Sequence, residues 1–313
     1  MALSAGAAAA RGGAPMNLRC PQCGGVVPLE TASGGPPPAC RSCSRTYEWE
    51  DGILRLDDAA RADDYPESVY ALLADAESRH FWFHGRSRVI VDALREACGR
   101  LEGRTALDLG CGTGFVLSAL EEEGMAACGA DMHMTGLRLA RRRVRGPLFR
   151  VGASASPFAE QFDAVLLCDV IEHAADDDAV LRSARAAIKP GGAVLVTVPA
   201  DPRLWTPYDE ASGHKRRYTR ESLVDAMRRA GLRVEFARYF NCIIYPLMCL
   251  QRRWMKMDRA DAAHDRLEIL RRALLVPPAP LNAILGWLSL ADIPLSRWPA
   301  NFGGSLVAVG RGD

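Results

Sequence analysis

Two groups of residues in this 313-residue chain are of types and at spacings that do chemistry together. The first is Cys20-Pro-Gln-Cys23, separated by sixteen residues from Cys40-Arg-Ser-Cys43. Each Cys-x-x-Cys turn aims two thiolates at one point, and two such knuckles complete a tetrahedral metal shell; disulfide pairing is the competing reading. Four thiolates leave no open coordination position, so the expected ion is a structural Zn2+. The second group is Leu107-Asp108-Leu109-Gly110-Cys111-Gly112-Thr113-Gly114. Glycines at this spacing permit a tight turn and let backbone N–H groups approach a ligand closely. Asp108 in front of them would repel a pyrophosphate and attract an ammonium. Asp131, 23 residues further on, stands where a carboxylate accepts both hydroxyls of a ribose.

These residues need a frame to hold them. From 104 to 200, short apolar runs alternate with helical patterns, which is the mark of βαβ units and a parallel sheet. The pattern places strands near 104–109, 126–131, 148–152, 162–168, 193–198, 233–239 and 305–309. Helices are expected to start near Gly114, Met134, Asp176 and Thr219. The expected fold is therefore α/β, a doubly wound, mostly parallel seven-stranded sheet behind a small zinc ribbon. Along the chain this gives a disordered N-terminus at 1–16, with Met16 as an alternative start, and a ribbon at 17–57. A linker with leading helices follows at 58–103, then a ligand-binding core at 104–240, an apolar helical lid insertion at 241–304 and a last core strand at 305–313. In an open parallel sheet, ligands bind beyond the carboxyl ends of the strands, and the connections 200–218 and 241–304 both leave from that side.

Composition narrows the setting. The chain is 49% hydrophobic and 25% charged with a net charge of +1, so no global field steers it toward nucleic acid or an anionic surface. Cys98, Cys111, Cys128, Cys168, Cys242 and Cys249 lie in apolar or Gly-rich surroundings, where free cysteine acts as a small hydrophobe. A reducing, cytoplasmic location is expected. The Ala/Gly-rich residues 1–15 lack the charged and apolar regions of a signal peptide.

The glycine stretch resembles the class I S-adenosylmethionine (SAM)-dependent methyltransferases, and the likeness extends through Phe162–His173 and Ala186–Pro199, the latter with its Lys-Pro-Gly-Gly turn. The resemblance implies a Rossmann-like methyltransferase fold with SAM as cosubstrate. Asp108, Gly110, Cys111, Gly112 and Gly114 would line its methionine side, and Asp131 with Met132 its ribose. Cys168 and Asp169 would approach the methionine end. Many relatives carry an Asp after the third strand that holds the adenine amino group. Here the run is Gly152-Ala-Ser-Ala-Ser-Pro-Phe158, which leaves adenine to the backbone or Ser154. Tyr47–Asp58 resembles the short zinc-binding modules that precede many such enzymes.

Methyl transfer to a hydroxyl needs alignment and a base. His173, just past the fourth strand, and His214 are the candidates; for His173, ordering the turn is the alternative role. The stretch Leu204–Leu223 resembles a signature of a subgroup associated with glycan and lipid biosynthesis. By that likeness Trp205, Tyr208, Arg216, Arg217 and Tyr218 would face the acceptor, and the two arginines would grip an anionic one. Their alternative role is to pair with Asp209 and Glu210 and pin the loop. Arg79–Arg88 resembles the leading helix of the subgroup, with Arg86 near the carboxylate of SAM.

Three readings of function follow. The first is O-methylation of a small-molecule, lipid or glycan-type acceptor. The second is methylation of an RNA base, with the ribbon holding RNA and Arg138, Arg141–Arg143 and Arg145 offering charge; no aromatic residues interleave that run to stack bases. The third is a non-catalytic SAM-fold binding module. The stretches 240–250 and 273–291 are apolar but broken by Pro246, Pro277, Pro278 and Pro280, so neither reads as a membrane span. With Arg252, Arg253, Trp254 and Lys256 beside them, they suit either a folded lid or peripheral contact with the inner face of a membrane. The sequence leaves the oligomeric state open.

Overall fold

The structure is a computed structural model that describes residues 16–29, 34–57, 67–250, 266–296 and 300–312. The expected disordered segment 1–15 and the basic residues Arg252, Arg253, Trp254 and Lys256 lie outside the described residues; Met16 opens the first strand.

The ribbon begins with an antiparallel hairpin, β1 (Met16–Arg19) and β2 (Val26–Leu29), whose turn carries the first cysteine pair. A second hairpin follows, β3 (Trp49–Glu50) and β4 (Ile53–Arg55), turned by Asp51 and Gly52, both at positive φ. Two helices lead into the core, α1 (Glu67–Arg79) and α2 (Phe81–Cys98). The alternating segment comprises β5 (Thr105–Leu109), α3 (Phe115–Glu122), β6 (Ala126–Asp131), α4 (Met134–Arg141), β7 (Leu148–Arg150), β8 (Phe162–Cys168), α5 (Asp177–Ala187) and β9 (Ile188–Pro199). After it come α6 (Pro207–Ser212), α7 (Arg220–Arg229), β10 (Leu232–Phe240), α8 (Arg266–Ala273), α9 (Ala279–Ser296) and β11 (Ser305–Gly312).

The seven expected strands form one sheet in the order β10-β11-β9-β8-β5-β6-β7, but the sheet does not stop there. β4 pairs parallel to β7 and brings β3 with it, so among the described residues the sheet has nine strands. The ribbon is thus not a separate bead. Ile53 and Leu54 are fully buried, and their pairing covers the edge that β7 would otherwise expose. Among the described strands, β11 and β3 run against the others, and β10 pairs antiparallel with β11 and so returns to the common direction.

The central strands are apolar on both faces, as a parallel sheet covered on two sides requires. Leu107, Leu109, Val165 and Leu167 face a core shared with α5, α7 and the ribbon residues Leu18, Val27 and Tyr47. Ala106, Ala164 and Leu166 face the other core, with α2, α3 and α4. A reciprocal Thr219–Ser222 cap starts α7, where the sequence places it.

The segment expected as a lid divides in two. α8 packs on α6 and α1 beside the 200–218 connection. α9 instead lies along α2, where Gly85 allows Ser289 to approach closely and Asn282 bridges the α1–α2 junction through Phe81 N (3.0 Å) and Arg79 O (2.8 Å). Leu281, Ile284, Trp287 and Leu290 stand exposed on its outer side. Among the described residues, no helix is long and apolar enough to cross a membrane.

Candidate active site

Asp108 stands in β5 with Gly129 and Leu166 as its neighbours in the flanking strands. It is buried, and its Oδ1 has no hydrogen-bond partner. Burial lifts its pKa to about 7, opposed by Arg86 and reinforced by Asp131. Gly110 has φ +95°, and a Cβ there would sit 2.4 Å from Val170 Cγ2. Gly112 has φ +51°, and its Cβ position faces open space. Gly114 lets α4 close on the loop, since a Cβ on it would meet Ala140 at 2.9 Å.

The loop's amides are engaged differently from the expectation. Gly110 N and Cys111 N both donate to Ala130 O, Gly114 N donates to Cys111 O, and Gly112 N donates to Asp131 Oδ2 at 2.9 Å. His133 N donates to Asp131 Oδ1 at 2.8 Å. These amides therefore fix Asp131 and the loop rather than pointing at a ligand. Burial raises the Asp131 pKa against those two bonds, and each of its oxygens keeps a lone pair for a further donor. Cys111 is buried, with its Sγ packed toward Gly129, so its thiol belongs to the core and not to the cradle. Met132 is exposed beside Asp131, and Ser154 is exposed in the turn after β7.

Cys168 ends β8 and is buried. Asp169 follows at φ +58°, where its Oδ1 accepts from Thr197 Oγ1 (3.1 Å) and its Oδ2 pairs with Arg86 Nε (2.9 Å). Arg86 is thus held by a protein carboxylate, close to Asp108 and Glu172. The unpartnered oxygen of Asp108, the open face over Gly112 and the carboxylate of Asp131 at the next strand end fit a nucleoside that carries an ammonium. They are the residues that would hold SAM.

Sequence reading missed Glu77 on α1. Its carboxylate takes the Thr113 hydroxyl at 2.6 Å and pairs with Arg143, whose Nη2 reaches Ala74 O at 2.7 Å. This buried bond ties α1 and the turn after α4 to the glycine loop. No motif marks it; an acidic residue on a helix is ordinarily solvated.

The connection after β9 builds a second cluster. Thr206-Pro-Tyr-Asp209 forms a capping box, which fixes the Asp209 side chain: Oδ2 accepts Thr206 N at 2.8 Å. Its Oδ1 takes His214 Nδ1 at 2.9 Å and Arg217 Nε at 2.7 Å. Burial would raise the Asp209 pKa, but the His214 and Arg217 bonds hold it well below the usual carboxylate range. The rings of His173 and His214 meet edge to face at 4.7 Å. Desolvation, then the neighbouring His214, lowers the His173 pKa to about 4, although the ring keeps an exposed edge. Ligand atoms of Glu172, His173 and His214 lie within 4.8 Å of one another. Glu172 is fully buried with neither oxygen hydrogen-bonded; burial, then the charge of Asp169, raises its pKa well above the usual value.

The other residues expected to face an acceptor are used by the protein itself. Arg217 is buried on Asp209 and on Ala200 O (2.9 Å). Arg216 bonds Ala174 O and Ala175 O (3.0 Å each) and pairs with Asp177 (2.9 Å). Tyr218 is buried, with its hydroxyl donating to Asp177 Oδ2 at 2.7 Å. All three pin the loop, which is the role their charges and lengths also allow. Trp205 donates to Glu210 at 3.2 Å, and Tyr208 packs 6.1 Å from the His214 ring, both partly exposed.

In the ribbon, the sulfurs of Cys20 and Cys43 are 3.7 Å apart and those of Cys23 and Cys40 are 3.6 Å apart, with all four within 4.8 Å. A tetrahedron with Zn–S bonds of about 2.3 Å has edges of about 3.8 Å, so the four cysteines fit zinc. The knuckles match: Gly24 N returns to Cys20 O at 2.8 Å and Ser44 N to Cys40 O at 3.0 Å. Burial raises the Cys20 pKa, but the Tyr47 hydroxyl at 3.0 Å and the knuckle amides outweigh it and draw it to about 6.

The basic run on α4 and in the turn after it is also largely engaged inside the molecule. Arg138 pairs with Glu50 and Asp51 of the ribbon hairpin, Arg141 bonds carbonyls of the following turn, and Arg143 holds Glu77.

A doubly wound sheet with an acid-flanked glycine turn and a ribose-type carboxylate at the next strand end defines the class of nucleoside-binding α/β domains. More particularly, residues 81–236 match the family model described as a methyltransferase domain, so the chain carries a SAM-dependent methyltransferase domain. A protein named ubiquinone biosynthesis O-methyltransferase from Bordetella avium (strain 197N) is 31% identical over 145 residues, covering 44% of this chain and 60% of that protein. The match therefore spans less than two thirds of that relative's length. Among solved structures, Haemonchus contortus phosphoethanolamine N-methyltransferase 2 in complex with SAM has a TM-score of 0.52 at 19% identity, covering 80% of this chain and 58% of that one. The 4+2 cyclase SpnF has a TM-score of 0.50 at 20% identity, covering 79% and 93%. At such identities the likeness is one of fold, and the second name shows that the fold alone does not decide the reaction.

Proposed function

We propose that the chain is a SAM-dependent methyltransferase that methylates an oxygen of a small-molecule, lipid or glycan-type acceptor. SAM, when bound, supplies an electrophilic methyl group on a sulfonium. Asp108 and Asp131 bind its ammonium and ribose, and Arg86 orients Asp169 at the end of β8. The acceptor lies between Asp169 and the His173–His214 pair. The observation that carries this reading is the Asp209–His214 bond, in which a buried carboxylate fixes one ring nitrogen and leaves the other as a base. His173, held neutral at pH 7, stands at the exposed edge of the pair and receives the acceptor proton with His214 behind it. Support for oxygen as the methylated atom comes from the relatives named O-methyltransferase.

The test is incubation of the full chain with methyl-labelled SAM and a cell extract, followed by separation into RNA, lipid and polar small-molecule fractions. Label in the lipid or polar fraction as an alkali-stable methyl ether, lost in His214→Ala, is the expected result. Label confined to RNA would overturn the acceptor assignment, and no label in any fraction would overturn the activity.

A further inference from the structure

The parallel strand that the ribbon adds to the sheet has its carboxyl end on the same side as those of β5, β6 and β7. The register is level across three strands: Asp131 pairs with Arg150, and Arg150 with Arg55. Two residues past Arg55 stands Asp57. Its Oδ2 accepts Gly152 N at 3.2 Å, and its Oδ1 is buried without a hydrogen-bond partner. Arg150 Nη1 lies 3.8 Å from that oxygen, an ion-pair contact too long for a hydrogen bond. Opposite it, a Cβ on Gly152 would meet nothing within 4 Å, so the backbone leaves room there.

The sheet order fixes where a nucleoside's base would go. With the methionine side at Asp108 on β5 and the ribose on Asp131 at the end of β6, the base continues past β7 toward β4. The loop after β7, from Val151 to Phe158, contains no acidic side chain. We propose that Asp57, supplied by the zinc ribbon, accepts the exocyclic amino group of the adenine ring, so that the ribbon forms part of the cosubstrate site. This rests on the SAM reading above. A carboxylate only accepts, so Asp57 favours a 6-amino purine and rejects a 6-oxo purine, whose oxygen would face it acceptor to acceptor. The buried Oδ1 gains the partner it lacks.

The test is calorimetric titration of the zinc-loaded full chain with S-adenosylhomocysteine and with S-inosylhomocysteine, which differ in the C6 substituent and in the proton that the oxo form carries on N1. The unsubstituted protein is expected to prefer the adenosyl compound by at least about tenfold, the scale of one charged hydrogen bond. Asp57→Ala should bring the ratio near one. Asp57→Asn, nearly the same in shape and able to donate from its amide, should shift preference toward the inosyl compound. Zinc content and a cooperative melt check that each variant is folded, and the isosteric Asn variant serves if the Ala variant is not. Equal weakening of both ligands in Asp57→Ala, with the ratio kept, would mean that Asp57 only braces Gly152 and would overturn the proposal. Binding of neither ligand by the unsubstituted protein would overturn the SAM reading and this one with it.

Discussion

A carboxyl group as deeply buried as Asp108, with a pKa near 7, is half protonated in neutral solution, and an ammonium ligand must bind its ionised form. Below pH 7 the site has to release a proton to bind. Affinity for S-adenosylhomocysteine should therefore fall by up to about tenfold per pH unit below 7 and level off above it. Calorimetry between pH 5.5 and 8.5 in buffers of different ionisation enthalpy measures both the slope and the proton released; a flat profile would remove Asp108 from the ammonium site. Asp209 poses a different question, because it both caps α6 and orients His214. Asp209→Asn should lower kcat by about 10²–10⁴-fold through the wrong imidazole tautomer, with cosubstrate affinity unchanged. His214→Ala, which leaves the cap alone, should give a similar loss; full activity in that variant would exclude the dyad. The lowered pKa of His173 adds a sign: a base already neutral at pH 6 loses activity only as pH falls below about 5.

At the level of elements, the glycine turn works by fitting β5 against the loop after β8. Gly110→Ala puts a methyl 2.4 Å from Val170 Cγ2 in a conformation that side chains avoid. The expected cost is about 1–3 kcal/mol, seen as a Tm lowered by several degrees together with weaker S-adenosylhomocysteine binding. An unchanged melt and affinity would mean that the turn relaxes freely. Helix α9 shows the converse case. Its apolar residues satisfy a lid or membrane pattern in sequence, yet its inner side is occupied by α2, and Leu281, Ile284 and Trp287 are left facing outward.

At the level of the molecule, the ribbon and the methyltransferase domain share one sheet. β4 covers the β7 edge, Arg138 crosses from α4 to Glu50 and Asp51, and Arg19 N bonds Pro157 O at 2.7 Å. A zinc ion held by the four cysteines should therefore stabilise the molecule well beyond them. Treatment with a strong zinc chelator, or Cys23→Ser with Cys43→Ser, is expected to lower the Tm of the main transition and to weaken S-adenosylhomocysteine binding, with recovery on adding Zn2+ to the chelated chain. If the melt and the affinity were the same with and without zinc, the ribbon would be an independent appendage.

The amino-acid sequence determined what repeats locally or depends on residue type. Strand and helix alternation, the strand ends that carry Asp108 and Asp131, the two cysteine knuckles and the cap of α7 all follow from apolar period, glycine placement and hydrogen-bonding side chains near one another in the chain. The tertiary structure decided what depends on partners far apart. Only the folded chain shows that β4 extends the sheet beside β7, that Glu77 reaches Thr113, that Arg217 is spent on Asp209, and that Asp57 comes to Gly152 across 95 positions. The physical reason is that period and propensity report which face of an element is buried. They do not say which distant element buries it, and an ionisable side chain looks the same in sequence whether water or another residue will satisfy its charge.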